Sequence, residues 1–161
     1  MSISALLPTP LGPFTLTADE HGLCGLSFPA EAPPVAPASL VAIAGHPLLH
    51  EAGQQLLAYL DGSRRSFDLP LSIQGTAFQQ AVWEQLRTIP YGHILTYGEL
   101  AERVGGRQKA RAVGGAAHAN PLAIVIPCHR LIGAGGKLTG FGGGLPMKQT
   151  LLDLEAKFLG T

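Results

Sequence analysis

Pro127-Cys128-His129-Arg130 sets a thiol beside a base and a cation, after the apolar run 122–126 and before a glycine-rich stretch. Only the thiolate is a strong, soft nucleophile, and with an ordinary pKa of about 8.5 a cysteine is only a few per cent ionised at neutral pH. A neighbour must take the proton or stabilise the anion, and the two residues after Cys128 can do both. A buried packing thiol is the competing reading, because free cysteine is among the most buried residue types. The polar pair that follows favours chemistry. The second cysteine, Cys24, lies in the alternating stretch 22–28 and reads as packing. Metal ligation is not expected: a structural zinc takes four ligands, and the chain offers His21 with Cys24 and, well separated, His46 with His50.

Periodicity supplies the elements around this tetrapeptide. Residues 10–28 read as a hairpin, an extended run 12–17 and a second strand joined by polar turn residues, with an irregular proline- and alanine-rich excursion over 29–37. Over 47–60, Leu48, Leu49, Ala52, Leu56, Leu57 and Leu60 recur at helical spacing, and Gly62 sits where a stop belongs. Residues 67–71 form a short strand or extended linker, and the domain boundary falls near 72–75, giving domains 1–73 and 74–161. Beyond it, Thr76 with Gln79 makes a capping box that opens a helix with Phe78, Val82, Trp83 and Leu86 on one face. Thr96 with Glu99 opens a second, over 97–104, that ends at Gly105-Gly106. A third helix over 108–118 stops before Asn120-Pro121. Helix, glycine turn and helix make a helix-turn-helix unit, a pattern that many proteins without DNA-binding activity share.

That third helix carries Gly114 and Gly115 mid-length, at a cost of roughly 1 kcal/mol each relative to alanine. Tight packing against a neighbouring helix would explain them. So would close approach to DNA, since an ordinary helix is about 10–12 Å wide and the minor groove about 6 Å. Arg103, Arg107, Lys109, Arg111 and Arg130 give that region a local positive excess. It must be local, because 11 Lys and Arg balance 11 Asp and Glu over the 161 residues and bulk charge attracts no polyanion. No run approaches the roughly 18 apolar residues that cross a bilayer, and the N-terminus lacks a basic and then apolar leader. A cytoplasmic protein that keeps both thiols reduced, nucleoid-associated if bacterial, is expected.

With Tyr97, the run 111–116, Asn120-Pro121, Ile126-Pro127-Cys128-His129-Arg130 and 148–155 in register, the chain resembles the O6-alkylguanine-DNA alkyltransferase (methylated-DNA-protein-cysteine methyltransferase) family. The likeness is close over about the last ninety residues and mostly architectural before them. It implies an α+β protein: a small N-terminal α/β, ribonuclease H-like domain, and a mainly helical winged helix-turn-helix domain after it. It implies irreversible, single-turnover transfer of an alkyl group from O6-alkylguanine in duplex DNA to Cys128, by a monomer without cofactor or membrane; O4-alkylthymine stays open as a second substrate.

The same resemblance gives the residues roles. Cys128 is the nucleophile, and His129 its base through a bridging water, because in an extended segment consecutive side chains point to opposite faces. Glu155 polarises His129, and Asn120 links the helix-turn-helix to the active-site segment, a role compatible with capping the helix before Pro121. Tyr97 crowds the 3' phosphate and protonates guanine N3. Arg111 fills the space of the flipped base, with Ala112, Gly114 and Gly115 against the groove. Leu131 and Gly142 line the base pocket with Phe141, and Phe141-Gly142 stands where several relatives carry tyrosine and serine. Arg130 is open between stabilising the anion and structural bonding. A lesion sensor without transfer and a cysteine hydrolase are the competing classes; Cys128 argues against the first, the helix-turn-helix against the second.

Overall fold

The computed structural model describes residues 2–29, 41–138 and 143–160. Beyond Pro29, the excursion expected over 29–37 lies outside the described residues, as do Phe141 and Gly142. The chain divides into two compact units, Met1–Ile73 with Pro121–Ala123, and Gln74–Asn120 with Ile124–Thr161.

The first unit is an antiparallel sheet in the order β1 (Ile3–Leu7), β2 (Phe14–Ala18), β3 (Leu23–Ser27), with a helix α1 (Pro47–Leu60). Alternation puts Phe14, Leu16 and Ala18 on a buried face, where Ala5, Leu7, Leu23 and Leu26 join them. Leu49, Ala52, Leu56 and Tyr59 form the buried stripe of α1. Its first turn is capped by the His46 ring, whose Nδ1 accepts from Leu49 N at 3.2 Å, and Gly62 beyond its end has φ +87°. The sequence reading missed β1 because Ile3–Leu7 does not alternate cleanly. Ser4 is buried, bonded to the Thr17 hydroxyl at 2.9 Å, while Leu6 faces out.

The free side of β3 is taken by two later segments. Leu23 N donates to Pro70 O at 2.8 Å beside a bridge to Leu71, and Leu26 N donates to Pro121 O at 2.9 Å beside a bridge to Leu122. Within the stretch 74–161 expected as the second domain, Pro121–Ala123 groups with the first unit because its backbone completes β3. This corrects the apolar run 122–126 as a single approach to the cysteine.

The second unit holds α2 (Ala77–Arg87), β4 (Leu95–Thr96), α3 (Tyr97–Arg103), α4 (Ala110–His118), β5 (Leu131–Ile132) and α5 (Leu145–Leu159). Both capping boxes are formed, Thr76 with Gln79 and Thr96 with Glu99. Val82, Trp83 and Leu86 are the buried face of α2, and Trp83 Nε1 donates to Ala116 O of α4 at 2.9 Å. Between α3 and α4 the chain needs the left-handed region twice, at Gly105 (φ +142°) and Gly106 (φ +133°), and then makes one 3₁₀ turn, Arg107–Lys109. β4 pairs β5 in parallel, Leu95 with Leu131 and Thr96 with Ile132, so the start of α3 lies beside the residues that follow the Cys-His-Arg turn. No helix of the described residues is long and apolar enough to cross a membrane.

Candidate active site

Cys128 sits in a sequence of tight turns. Ile124, buried, holds φ +70°, a left-handed conformation that costs a β-branched residue about 1–3 kcal/mol and persists only where its surroundings enforce it. The Asn120 side chain bridges the segment, donating from Nδ2 to Ile126 O at 2.8 Å. It does not cap α4, whose C-cap is Ala119. Pro127, at φ −80° and ψ 65°, makes an inverse γ-turn closed by Cys128 N to Ile126 O at 2.7 Å. Cys128–Arg130 is then a 3₁₀ turn. The expectation of an extended segment is therefore wrong: successive side chains are about 120° apart, not on opposite faces.

The turn packs against α5, whose buried positions are Lys148, Leu151 and Glu155, spaced i, i+3 and i+7 on one face. Glu155 is the hub. Its Oε2 meets His129 Nε2 at 2.6 Å, and Arg130 grips both oxygens, Nε to Oε1 at 2.8 Å and Nη2 to Oε2 at 2.9 Å. Gly92 N adds a third donor at 3.0 Å, and Arg130 Nη1 reaches Ile89 O at 2.7 Å. The structure thus gives Arg130 a bonding role under the site, removing it from the basic groups near α4. Its guanidinium carbon lies 5.6 Å over the Tyr91 ring.

Burial alone would raise the Glu155 carboxyl; hydrogen bonds and charge from His129 and Arg130 outweigh it and hold the group far below the usual carboxylate range. His129 is wholly buried, and that burial lowers its pKa despite the opposing pull of Glu155, with Arg130 and Lys148 pushing the same way as burial. It is therefore a neutral imidazole at neutral pH. With Nε2 committed to Glu155, Nδ1 is the nitrogen that can exchange a proton.

Tyr97, the first residue of α3, is half-buried, and its ring lies next to Gly114: a Cβ there would be 3.7 Å from Tyr97 Cε1. Arg111, Ala112 and Gly115 are exposed on α4, opposite its buried Val113, Ala116 and Ala117. A Cβ at Gly115 would meet nothing within 4 Å. Packing inside the protein thus explains neither glycine. The charge around α4 is thinner than the sequence count suggests, since Arg107 pairs with Glu102 at 2.8 Å.

Leu131 is buried in β5. So Cys128, His129, Glu155, Asn120, Leu131 and Tyr97 come together, with the α4 face next to Tyr97. Lys148 is the residue that the sequence reading passed over: it is completely buried, with Nζ 5.9 Å over the Tyr97 ring. Its spacing from Leu151 and Glu155 was the available signal.

Residues 77–157 match the family described as 6-O-methylguanine DNA methyltransferase, DNA binding domain, and residues 3–73 its ribonuclease-like domain. The chain is 45% identical over 152 residues to the methylated-DNA–protein-cysteine methyltransferase of Methanosarcina acetivorans, covering 94% of this chain and 96% of that one. It is 57% identical over 106 residues to the enzyme of that name from Mycolicibacterium paratuberculosis, covering 66% and 64%. The solved Mycobacterium tuberculosis O6-methylguanine methyltransferase superposes with a TM-score of 0.86 at 42% identity, covering 98% and 94%. The same protein solved in complex with DNA gives 0.86 at 42%, covering 96% and 93%. The fold is that of a DNA-repair methyltransferase with a ribonuclease-like and a DNA-binding domain. The chain belongs to the 6-O-methylguanine-DNA methyltransferase family, whose members here are methylated-DNA–protein-cysteine methyltransferases.

Proposed function

We propose that this protein takes the alkyl group from O6-alkylguanine in duplex DNA onto Cys128, once per molecule, after the base is flipped from the stack. The observation that carries the reading is the His129–Glu155 contact at 2.6 Å, made by the residue that follows Cys128 on the same turn and is buried so that its imidazole stays neutral. The Cys128 proton passes through a water to His129 Nδ1. The sulfur then attacks the alkyl carbon, an S–C bond forms, and the C–O6 bond breaks with its electron pair going to guanine. Tyr97 gives a proton to N3, so the base leaves neutral. The thioether offers no easy route back, which makes the reaction stoichiometric.

The bald face of α4 supports the approach to DNA. Guanine O6 lies on the major-groove edge of a stacked pair, and flipping costs a few kcal/mol. Arg111, exposed at the start of α4, is suited to enter the vacated stack and offset that cost. Residues from Ala112 to Gly115 on the exposed side present little more than backbone to the groove. Leu131 lines the pocket that receives the base; Phe141 and Gly142 belong to the same proposal by resemblance.

The test is intact mass after incubation with a duplex carrying O6-methylguanine. One added methyl group per chain, mapped to Cys128 and absent in Cys128→Ser, is expected. Tight lesion binding without a mass change would indicate a sensor, and repeated turnover a hydrolase; either would overturn the proposal.

A further inference from the structure

Trp83 is the chain's one tryptophan, buried on the inner face of α2, and the mechanism above gives it nothing to do. Apolar filling alone needs no indole. A buried indole brings an N–H that must find an acceptor, a demand that phenylalanine does not make. The far end of the ring is held as well: a Cβ added at Gly75 would stand 2.6 Å from Trp83 Cη2, so the backbone leading into α2 lies directly on it.

The acceptor is a carbonyl inside another helix. Trp83 Nε1 donates at 2.9 Å to Ala116 O of α4, which an unbroken helix would give to the amide four residues on, Asn120 N. Asn120 N donates instead to Ala117 O at 3.2 Å, three residues back, and α4 closes with Ala119 as its C-cap. The indole thus stands in for a helical amide, and the helix tightens there into its last turn. Ala116 lies on the buried side of α4, behind the exposed Arg111, Ala112 and Gly115.

That early close frees Asn120 for the cysteine turn. Its side chain donates from Nδ2 to Ile126 O at 2.8 Å, and the same oxygen accepts Cys128 N at 2.7 Å, the bond that closes the turn presenting the thiol. Were α4 to run one residue further, the direction of the Asn120 side chain would be set by the helix and not by Ile126.

We propose that Trp83 is a positioning residue for transfer: its N–H, by occupying the Ala116 carbonyl, ends α4 where Asn120 can hold the Ile126–Cys128 turn. The inference rests on Cys128 being the nucleophile. Trp83 acts through Asn120, and fixes α4 and the cysteine turn to one another from the buried side of the helix.

The test uses the full chain and compares two replacements of Trp83, each alone and combined with Asn120→Ala. Trp83→Phe removes the N–H with part of the ring. Benzothienylalanine, incorporated biosynthetically at the one tryptophan position, removes the N–H and keeps the bicyclic ring. Single-turnover methyl transfer is timed at saturating O6-methylguanine duplex. Each replacement should slow transfer by about tenfold to a hundredfold in the parent chain, the cost of a misplaced nucleophile, and by less than about twofold further in Asn120→Ala. A tryptophan that merely fills space would cost the same factor in both backgrounds. Equal losses in the two backgrounds, or no loss with benzothienylalanine, overturn the proposal. Should neither replacement fold, the unaltered indole answers instead: coupling is reciprocal, so its N–H should exchange with solvent at least about fivefold faster in Asn120→Ala than in the parent chain. Unchanged indole exchange overturns the proposal. A parent chain that transfers no methyl group would refute the functional reading, and indole exchange would still decide the coupling.

Discussion

Gly115→Ala should make the free protein more stable and the DNA complex weaker. In a helix interior, alanine is better than glycine by roughly 0.5–1 kcal/mol, because glycine loses more backbone freedom on folding. That gain is realised only where the new methyl fits, and at Gly115 it meets nothing within 4 Å. The expected change is about +0.8 kcal/mol, a rise of roughly 2–4 °C in melting temperature for a chain of this size. On DNA the sign reverses. The methyl projects from the exposed side of α4, where a groove about 6 Å wide leaves no spare room, so affinity should fall at least about tenfold, or 1.4 kcal/mol. Thermal unfolding measures the first effect. Fluorescence anisotropy with an O6-methylguanine duplex, in a Cys128→Ser background that cannot react, measures the second. A variant that is more stable and binds as tightly as its parent would refute the reasoning that α4 is bare for the sake of DNA. Gly114→Ala should gain similarly in stability, its Cβ in ordinary contact with Tyr97.

Arg130→Ala should destabilise the second unit by about 3–5 kcal/mol in denaturant titration, since it strips two hydrogen bonds from a buried carboxylate. Arg130→Lys should not restore it, because an ammonium cannot reproduce the two-pronged grip. Arg111→Ala should slow transfer from duplex DNA by roughly tenfold to a hundredfold, the loss of about 1–3 kcal/mol of help in flipping, yet leave reaction with the free O6-methylguanine base unchanged. Equal losses on both substrates would rule out a role in flipping. Stability should fall with acid in two stages. His129 has its folded pKa below the ordinary 6.5, so the unfolded chain binds more protons and stability declines as pH drops through that value. Glu155, held far below 4.5, adds a steeper loss once pH passes beneath 4.5. Denaturant midpoints between pH 8 and pH 3 check both; flat behaviour down to pH 5 would contradict the neutral, buried imidazole.

Local chemistry was legible wherever it was contiguous. Both capping boxes, α1 over Pro47–Leu60 and the glycine turn before α4 follow from residues a few positions apart, and the structure has them there. The site's chemistry was legible because Cys128 and His129 are neighbours in sequence. What distant residues do to one another was not. The grip of Arg130 on Glu155 joins a turn to a helix 25 positions on, and no periodicity marks it. Strand β1 escaped because Leu6, on the face opposite Ala5 and Leu7, breaks the alternation, and the bond of Ser4 to Thr17 on that same face is a cross-strand contact that alternation does not register. The 3₁₀ turn at Cys128 follows a left-handed isoleucine, a conformation that sequence preference argues against.

The backbone of β3 also bears on the order in which this protein can be completed during synthesis. Half of its outer edge is closed by Leu71, already inside the first unit's own stretch of chain, and half waits for Pro121–Ala123. At a ribosomal rate of about 5–20 residues per second, those segments emerge several seconds apart, and for that interval the Leu26 amide is an open strand edge. A fragment ending at Ile73 should accordingly show rapid hydrogen exchange at Leu26 and slow exchange at Leu23; protection at both would mean that the edge closes by other means. The N-terminal half is made first and finished late, with the last of its sheet bonds supplied by the same stretch of chain that leads on to the cysteine.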